Sequence, residues 1–249
     1  KKLLKKFKSG GGTLYDIEYL TQETGKRIAA FGYWAGFAGA YVALKVWISQ
    51  LKKEECAPLS TFNDKKKLLD DVSTEINSVK TLPSAIVIGS LGRVGRGVCD
   101  FCQNLSLNIK KWDLAETVSG GPFHEILNHE ILFNCVVATP KTPVFFRPDY
   151  IASKRKLSVI GDIACDPDSD YNPIPIYNTP TTWSKPGLNI ASDPPLDVMA
   201  IDNLPSLLPK ESSIDFAEQL FPYLLGFDKK NKEVWERSKQ IFKSKMLEV

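Results

Sequence analysis

The stretch SAIVIGSLGRVGRGV, residues 84–98, limits the fold more than any other part of the chain. Residues 85–88 form a short β-branched apolar run, the pattern of a strand buried on both faces of a parallel sheet. Gly89, Gly92, Gly95 and Gly97 follow at once, and residues 98–102 continue with helical spacing. Strand, glycine turn and helix start are the parts of a dinucleotide-binding βα unit. The spacing is G-x-x-G-x-x-G rather than G-x-G-x-x-G, so the glycines alone say little. The next expected strand, residues 108–113, ends on Asp113, 21 positions after Gly92. Such folds place there the carboxylate that holds the adenosine ribose. The helix N-terminus would offer unpaired amides and a partial positive charge to a pyrophosphate. A glycine turn that holds no ligand is the alternative reading of the same residues.

The 249 residues suffice for one large domain or two small ones. With 43% hydrophobic and 24% charged residues the composition is that of an ordinary globular protein. A net charge of +3 is too small to argue for nucleic acid. The opening KKLLKKFK carries five lysines and reads as the solvated end of a helix, the alternative being a basic amphipathic segment for a membrane or partner. No apolar run reaches membrane-span length: residues 28–44 are interrupted by glycines and aromatics and bounded by Lys26, Arg27 and Lys45. No secretory leader is recognisable, and five scattered cysteines (Cys56, Cys99, Cys102, Cys135, Cys165) suit a reduced, cytoplasmic setting. Cys99 and Cys102 form a C-x-x-C inside the expected helix with no second pair at zinc spacing, so small buried hydrophobes are expected there. DPDSD at 166–170 lacks the later glycine and glutamate of a calcium loop, and no metal is expected. His124 and His129 are assigned surface or structural roles.

Along the chain, residues 13–20 read as a short strand or extended segment and 27–31 as a strand, with a turn at 23–26 between them, and residues 33–51 as a long helix. Gly36 and Gly39 inside that helix cost about 1 kcal/mol each relative to alanine, which implies tight contact with another helix or a ligand. A helix is expected at 65–79, then strands at 84–88, 108–113, 131–137 and 157–162 with a helix at 95–105. A proline-rich stretch follows residue 163, and a helical tail begins near residue 212. This is the pattern of an α/β fold with an open, doubly wound parallel sheet. Ligands of such sheets lie outside the carboxyl ends of the strands, which would gather residues 89–95, 113–117, 137–139 and 162–166 into one cleft.

The segments GGGTLYDIEYL, KRIAAFGYWAGFAGA, VIGSLGRVGRG, KWDLAETVSGGPF, DPDSDYNPIPIY and IDNLPSLLPKESS together resemble the saccharopine dehydrogenases, the NAD-dependent, lysine-forming enzymes of fungi, over residues 7–242. The resemblance implies oxidation of saccharopine to lysine and 2-oxoglutarate, the last step of lysine biosynthesis by the α-aminoadipate route. It implies a Rossmann-like domain plus part of a second, alanine dehydrogenase-like substrate domain, with a cleft between them. Hydride would pass between the nicotinamide C4 and the substrate carbon bearing the secondary amine, and acid–base groups would assist hydrolysis of the imine.

Carried over by position, Gly92 and Arg93 would contact the NAD pyrophosphate, and Asp113 the adenosine ribose with Thr117 beside it. Val137 and Ile163 would line the adenine and nicotinamide sides. Ile201, Asp202, Asn203 and Leu204 would close over the cofactor, and Lys26 would sit next to it. Asn203 stands where some relatives have histidine. Arg27, Phe31, Ala164, Cys165 and Asp166 match substrate-binding positions. The family's acid–base lysine and histidine precede the matching stretch, so no catalytic residue is assigned in this chain, which reads as a fragment. The expected organisation is residues 1–50 as remnant substrate domain and interdomain helix, 51–203 as dinucleotide-binding domain, and 204–249 as helices returning to the substrate domain. The expected protein is a cytoplasmic monomer with NAD as cofactor and saccharopine, lysine and 2-oxoglutarate as small-molecule partners, without nucleic acid or membrane. A non-catalytic NAD-binding module and another amino acid dehydrogenase of the alanine dehydrogenase-like group are the alternatives.

Overall fold

A computed structural model describes residues 1–227 and 232–248. Its first half holds α1 (Lys2–Gly10), α2 (Gly32–Lys52), α3 (Lys65–Ile76), β1 (Ser84–Ile88), α4 (Arg93–Asn104), β2 (Asn108–Trp112) and α5 (Leu114–Thr117). The second half holds β3 (Ile131–Asn134), β4 (Val159–Asp162), β5 (Leu188–Ser192), β6 (Pro195–Met199), α6 (Pro209–Leu225) and α7 (Lys232–Met246). The chain divides into two compact units, one from Gly32 to Glu211 and one made of residues 1–31 with 212–249. These limits differ from the 50/51 and 203/204 boundaries expected above, because α2 packs on the sheet of the larger unit.

The sheet has the order β2-β1-β3-β4-β6-β5, parallel throughout except for the β5–β6 edge hairpin. Ile88, the last residue of β1, lies opposite Trp112 on one side and Asn134 on the other. The chain goes outward from β1 in both directions, so the carboxyl ends of β1 and β3 form the switch point of the sheet. Alternate residues serve two cores, as the two-residue period of a strand requires. Ala85 and Val87 join Phe37, Val98 and Phe101 beneath α2 and α4, whereas Ile86 and Ile88 join Phe123, Phe145 and Ile174 on the other face. That second face is covered by 3-10 turns and loops.

Gly36 of α2 is explained by a helix, and Gly39 by the side chains of Ile163 and Leu204. A Cβ at Gly36 would stand 1.9 Å from the Val94 carbonyl oxygen of α4, and one at Gly97 would stand 1.9 Å from the Tyr33 carbonyl oxygen of α2. The two backbones therefore touch. Cys99 and Cys102 are free and buried at this interface side of α4, and burial pushes the Cys102 thiol up to about 12.

Several elements differ from expectation. Of the two readings of residues 13–20 the strand does not form: Asp16 is extended, and its carboxylate accepts from the Glu18 amide at 3.0 Å and sets a 3-10 turn over Ile17–Tyr19. Only one bridge, Thr21 to Arg27, joins that segment to the next. β3 stops at Asn134 because the Asn134 side chain takes the Val136 amide at 3.2 Å. The β5–β6 hairpin lies in the proline-rich stretch, to which the sequence assigned no element. Among the described residues no helix is long and apolar enough to cross a membrane.

In the smaller unit Leu20, Ile28, Ala29, Leu220, Val234 and Trp235 form the core. Phe7 of the lysine-rich α1 meets Phe242 of α7 edge-on, 5.6 Å between ring centres.

Candidate cofactor site

Gly89 leaves β1 at φ 86, a conformation that favours glycine, and its Cβ would come 2.9 Å from a Val136 methyl. The Gly89 and Ser90 amides both donate to the Trp112 carbonyl, at 2.9 and 3.0 Å, which fixes the loop to β2. α4 then starts so close to the loop that a Cβ at Gly95 would lie 2.1 Å from the Gly89 oxygen. Gly92 is the N-cap of α4 in ordinary extended backbone, with no side-chain cap on the first turn. The amides of that turn and the helix dipole point out of the loop toward the cleft's mouth.

Asp113 ends β2 as the N-cap of α5, in a capping box with Glu116. One carboxylate oxygen accepts from the Leu114 amide at 2.9 Å, and the other accepts from the Leu91 amide of the glycine loop, also at 2.9 Å. The acid and the loop are thus clasped directly, while the remaining lone pairs of the carboxylate stay available to hydroxyl donors. Thr117 is buried, and its hydroxyl donates to the Asp113 carbonyl at 3.0 Å. It shapes the turn.

Between these loops and the one after β3 is a cleft of about 320 Å³, lined among others by Gly89, Gly92, Asp113, Thr117, Val137 and Lys141. Three of the four stretches expected at the carboxyl edge meet here. The fourth, 162–166, follows β4, one strand further along the same edge. Val137 and Leu114 line the cleft with their apolar side chains 79% exposed. Lys141 was not anticipated. It sits in a turn closed by the Thr139 amide donating to the Thr142 hydroxyl at 2.9 Å, and only the prolines of TPKTP hint at that turn in the sequence.

The other expected site residues are distributed as follows. Ile163, Ile201 and Leu204 are buried in the α2-side core, where Ile163 and Leu204 press on Gly39, so they reach a ligand only by main chain. Asp202 and Asn203 between them are exposed, and the Asn203 side-chain oxygen Oδ1 accepts from the Trp183 indole at 2.9 Å. Ala164 and Cys165 are half-buried and Asp166 exposed in the turn after β4. Burial and the carboxylates of Asp162, Asp202 and Asp166 push the Cys165 thiol up to about 12. Arg93 opens α4 beside Gly92. Lys26, Arg27 and Phe31 belong to the smaller unit, with Arg27 paired to Glu18 and Phe31 stacked on Phe216 at 4.4 Å.

Neither histidine lines the cleft. His129 lies by the Ser84 hydroxyl (3.3 Å) and the Glu125 carboxylate (3.5 Å), at the start of β1 and the opposite end of the sheet. The His124 ring faces Tyr150 at 5.5 Å. Among the described residues no cluster of three or more potential metal ligands exists.

No family model matches the chain. The proteins named saccharopine dehydrogenase (NAD(+), L-lysine-forming) of Neurospora crassa, Schizosaccharomyces pombe and Yarrowia lipolytica are 42%, 39% and 38% identical to it. The alignments cover 98%, 98% and 100% of this chain, and 69%, 70% and 71% of those three relatives.

Proposed function

Because the chain belongs to the NAD-dependent, lysine-forming saccharopine dehydrogenases, we propose that the cleft at β1 and β3 holds the adenosine diphosphate half of NAD and that the turn after β4 faces the nicotinamide half. The reaction is saccharopine, NAD⁺ and water going to lysine, 2-oxoglutarate, NADH and a proton. When bound, NAD supplies the hydride acceptor that oxidation of a secondary amine requires.

The residues present fit this cofactor. Gly92 carries the argument: a Cβ there would meet only the Gly89 oxygen, at 3.3 Å, a tight contact but far milder than the 2.1 Å that forbids a side chain at Gly95. A ligand passing close over the loop supplies the reason for glycine here. The first-turn amides of α4, with Arg93, bind the pyrophosphate. Asp113, already oriented by the Leu91 and Leu114 amides, accepts from the ribose hydroxyls. Leu114 and Val137 give a planar base two apolar faces. The main chain at Ile163, and the exposed Asp202 and Asn203, border the cofactor further along the edge. Ala164, Cys165 and Asp166 stand on the substrate side of that turn. In the smaller unit we assign Lys26 to the cofactor and Arg27 and Phe31 to substrate binding. Residues 32–211 form the cofactor unit in this reading, and residues 1–31 with 212–249 belong to the substrate-binding part.

Calorimetric titration with NAD and NADP tests the placement. A 2′-phosphate would meet the Asp113 carboxylate, and loss of a hydrogen bond to a charged group alone is worth about 10- to 150-fold. NAD should bind tighter by at least the lower figure, and Asp113→Ala should narrow the gap. Equal affinity of the wild type for both would remove Asp113 from the site.

A further inference from the structure

Asn134 and Asp162 end the adjacent strands β3 and β4 directly opposite one another, and each is only 1% exposed. The Asn134 amide donates to one Asp162 oxygen at 2.9 Å, and the Cys165 main-chain amide donates to the same oxygen at 3.2 Å. The Tyr177 hydroxyl donates to the other oxygen at 2.7 Å. Asn134 in turn accepts from the Val136 amide at 3.2 Å. Burial pushes the Asp162 carboxyl up from its usual range, and the three donors pull against that shift.

A carboxylate is a costly way to fill a strand end, since it must be desolvated and every lone pair answered. What it obtains here is a grip on main chain. Asn134 holds the loop that carries Val137 into the cleft, and Asp162 holds the turn that carries Cys165. Cys165 itself has φ 40, the left-handed region that a residue with a side chain rarely occupies. Its thiol donates to the Ala200 carbonyl at 3.2 Å, so the turn is held from both sides. Non-glycine residues persist in such conformations where the surroundings over-determine them, and these places cluster at functional sites.

We propose that the buried Asn134–Asp162 pair is a positioning element for hydride transfer, fixing the main chain of residues 163–165 against the nicotinamide half of the cofactor independently of the adenosine half. The proposal rests on the placement of the two halves given above. It separates two roles within one pair: the Val136 bond serves the adenosine side, and the Cys165 bond serves the nicotinamide side.

The two roles come apart in the exchanged double variant, Asn134→Asp with Asp162→Asn. That exchange retains a side-chain bond between the strands and an acceptor for the Val136 amide. It turns an NH₂ group toward the Cys165 amide, which loses its acceptor. The experiment is calorimetry of NADH and ADP-ribose on the full chain, for the wild type, the exchanged variant and Tyr177→Phe. The wild type should bind NADH more tightly than ADP-ribose. The exchanged variant should keep its ADP-ribose affinity and lose roughly tenfold in NADH affinity, the effect of one hydrogen bond to a charged acceptor. If the exchanged variant does not fold, Tyr177→Phe carries the test, with a smaller loss confined to NADH. An unchanged NADH to ADP-ribose ratio in the folded variants, or equal loss for both ligands, overturns the inference. Equal wild-type affinity for both ligands overturns it too. A wild type that binds neither ligand sinks the cofactor placement and this inference together.

Discussion

Gly92 and Gly95, one turn of loop apart, are glycine for different reasons. At Gly95 the protein itself forbids a side chain, because a Cβ would stand 2.1 Å from the Gly89 oxygen and 2.6 Å from the Ser90 Cα. At Gly92 the only neighbour of an added Cβ is the same oxygen at 3.3 Å, a contact relieved by a shift of a few tenths of an ångström. Gly95→Ala should therefore lower stability by about 1–3 kcal/mol, the usual cost of overpacking, and show it as a lower Tm. Gly92→Ala should lower Tm less than Gly95→Ala and lose NAD affinity in calorimetry. A folded Gly92 variant that binds NAD normally would return the loop to a turn without a ligand. The sequence showed that these glycines form a set, and it showed Asp113 at the ribose distance. It could not show which glycine answers to the ligand, nor the clasp between Leu91 and Asp113, since both depend on how far apart two loops come to rest. Lys141, Asn134 and Tyr177 were illegible for the same reason: each acquires its role from a partner distant in the chain.

At the scale of elements, the contact of α2 with α4 decides where the first turn of α4, the end proposed to meet the pyrophosphate, lies. Gly36→Ala should force the helices apart, cost about 1–3 kcal/mol and weaken NAD binding in the same variant, because the moving part carries the first turn of α4. Gly10→Ala, with nothing within 4 Å of the added Cβ, is the control and should change neither. Thermal melts and NAD titrations on both variants check this, and a Gly36→Ala protein of unaltered Tm would refute the tight contact. α2 was readable to within a residue at each end, 33–51 against Gly32–Lys52, because a long apolar run with small residues has one way to be buried. β1 was readable for its β-branched run. The β5–β6 hairpin was not, since β5 buries no residue fully and prolines interrupt the stretch. β3 ended early because a single asparagine side chain took a main-chain amide out of the ladder.

For the whole molecule, the proposed cofactor cleft offers glycines, Asp113, three threonines, apolar side chains and Lys141, while both histidines lie elsewhere. We expect the chain to bind NAD yet form NADH from saccharopine at alkaline pH at least roughly 10²-fold more slowly than the Neurospora crassa relative, the least that a missing general acid or base costs. Equal turnover would place the proton-transfer groups among residues 1–249. α2 also leaves the ribosome before any strand it will rest on. Twelve of its residues end buried, against partners that include Met199 and Leu204, so its seat is not finished until residue 204 has been made. At about 5–20 residues per second that is a wait of roughly 8–30 s. Until then the helix has only its early partners, such as Phe62 against Tyr41 and Phe101 against Phe37, and the half-made protein shows water the apolar surface that chaperones exist to cover.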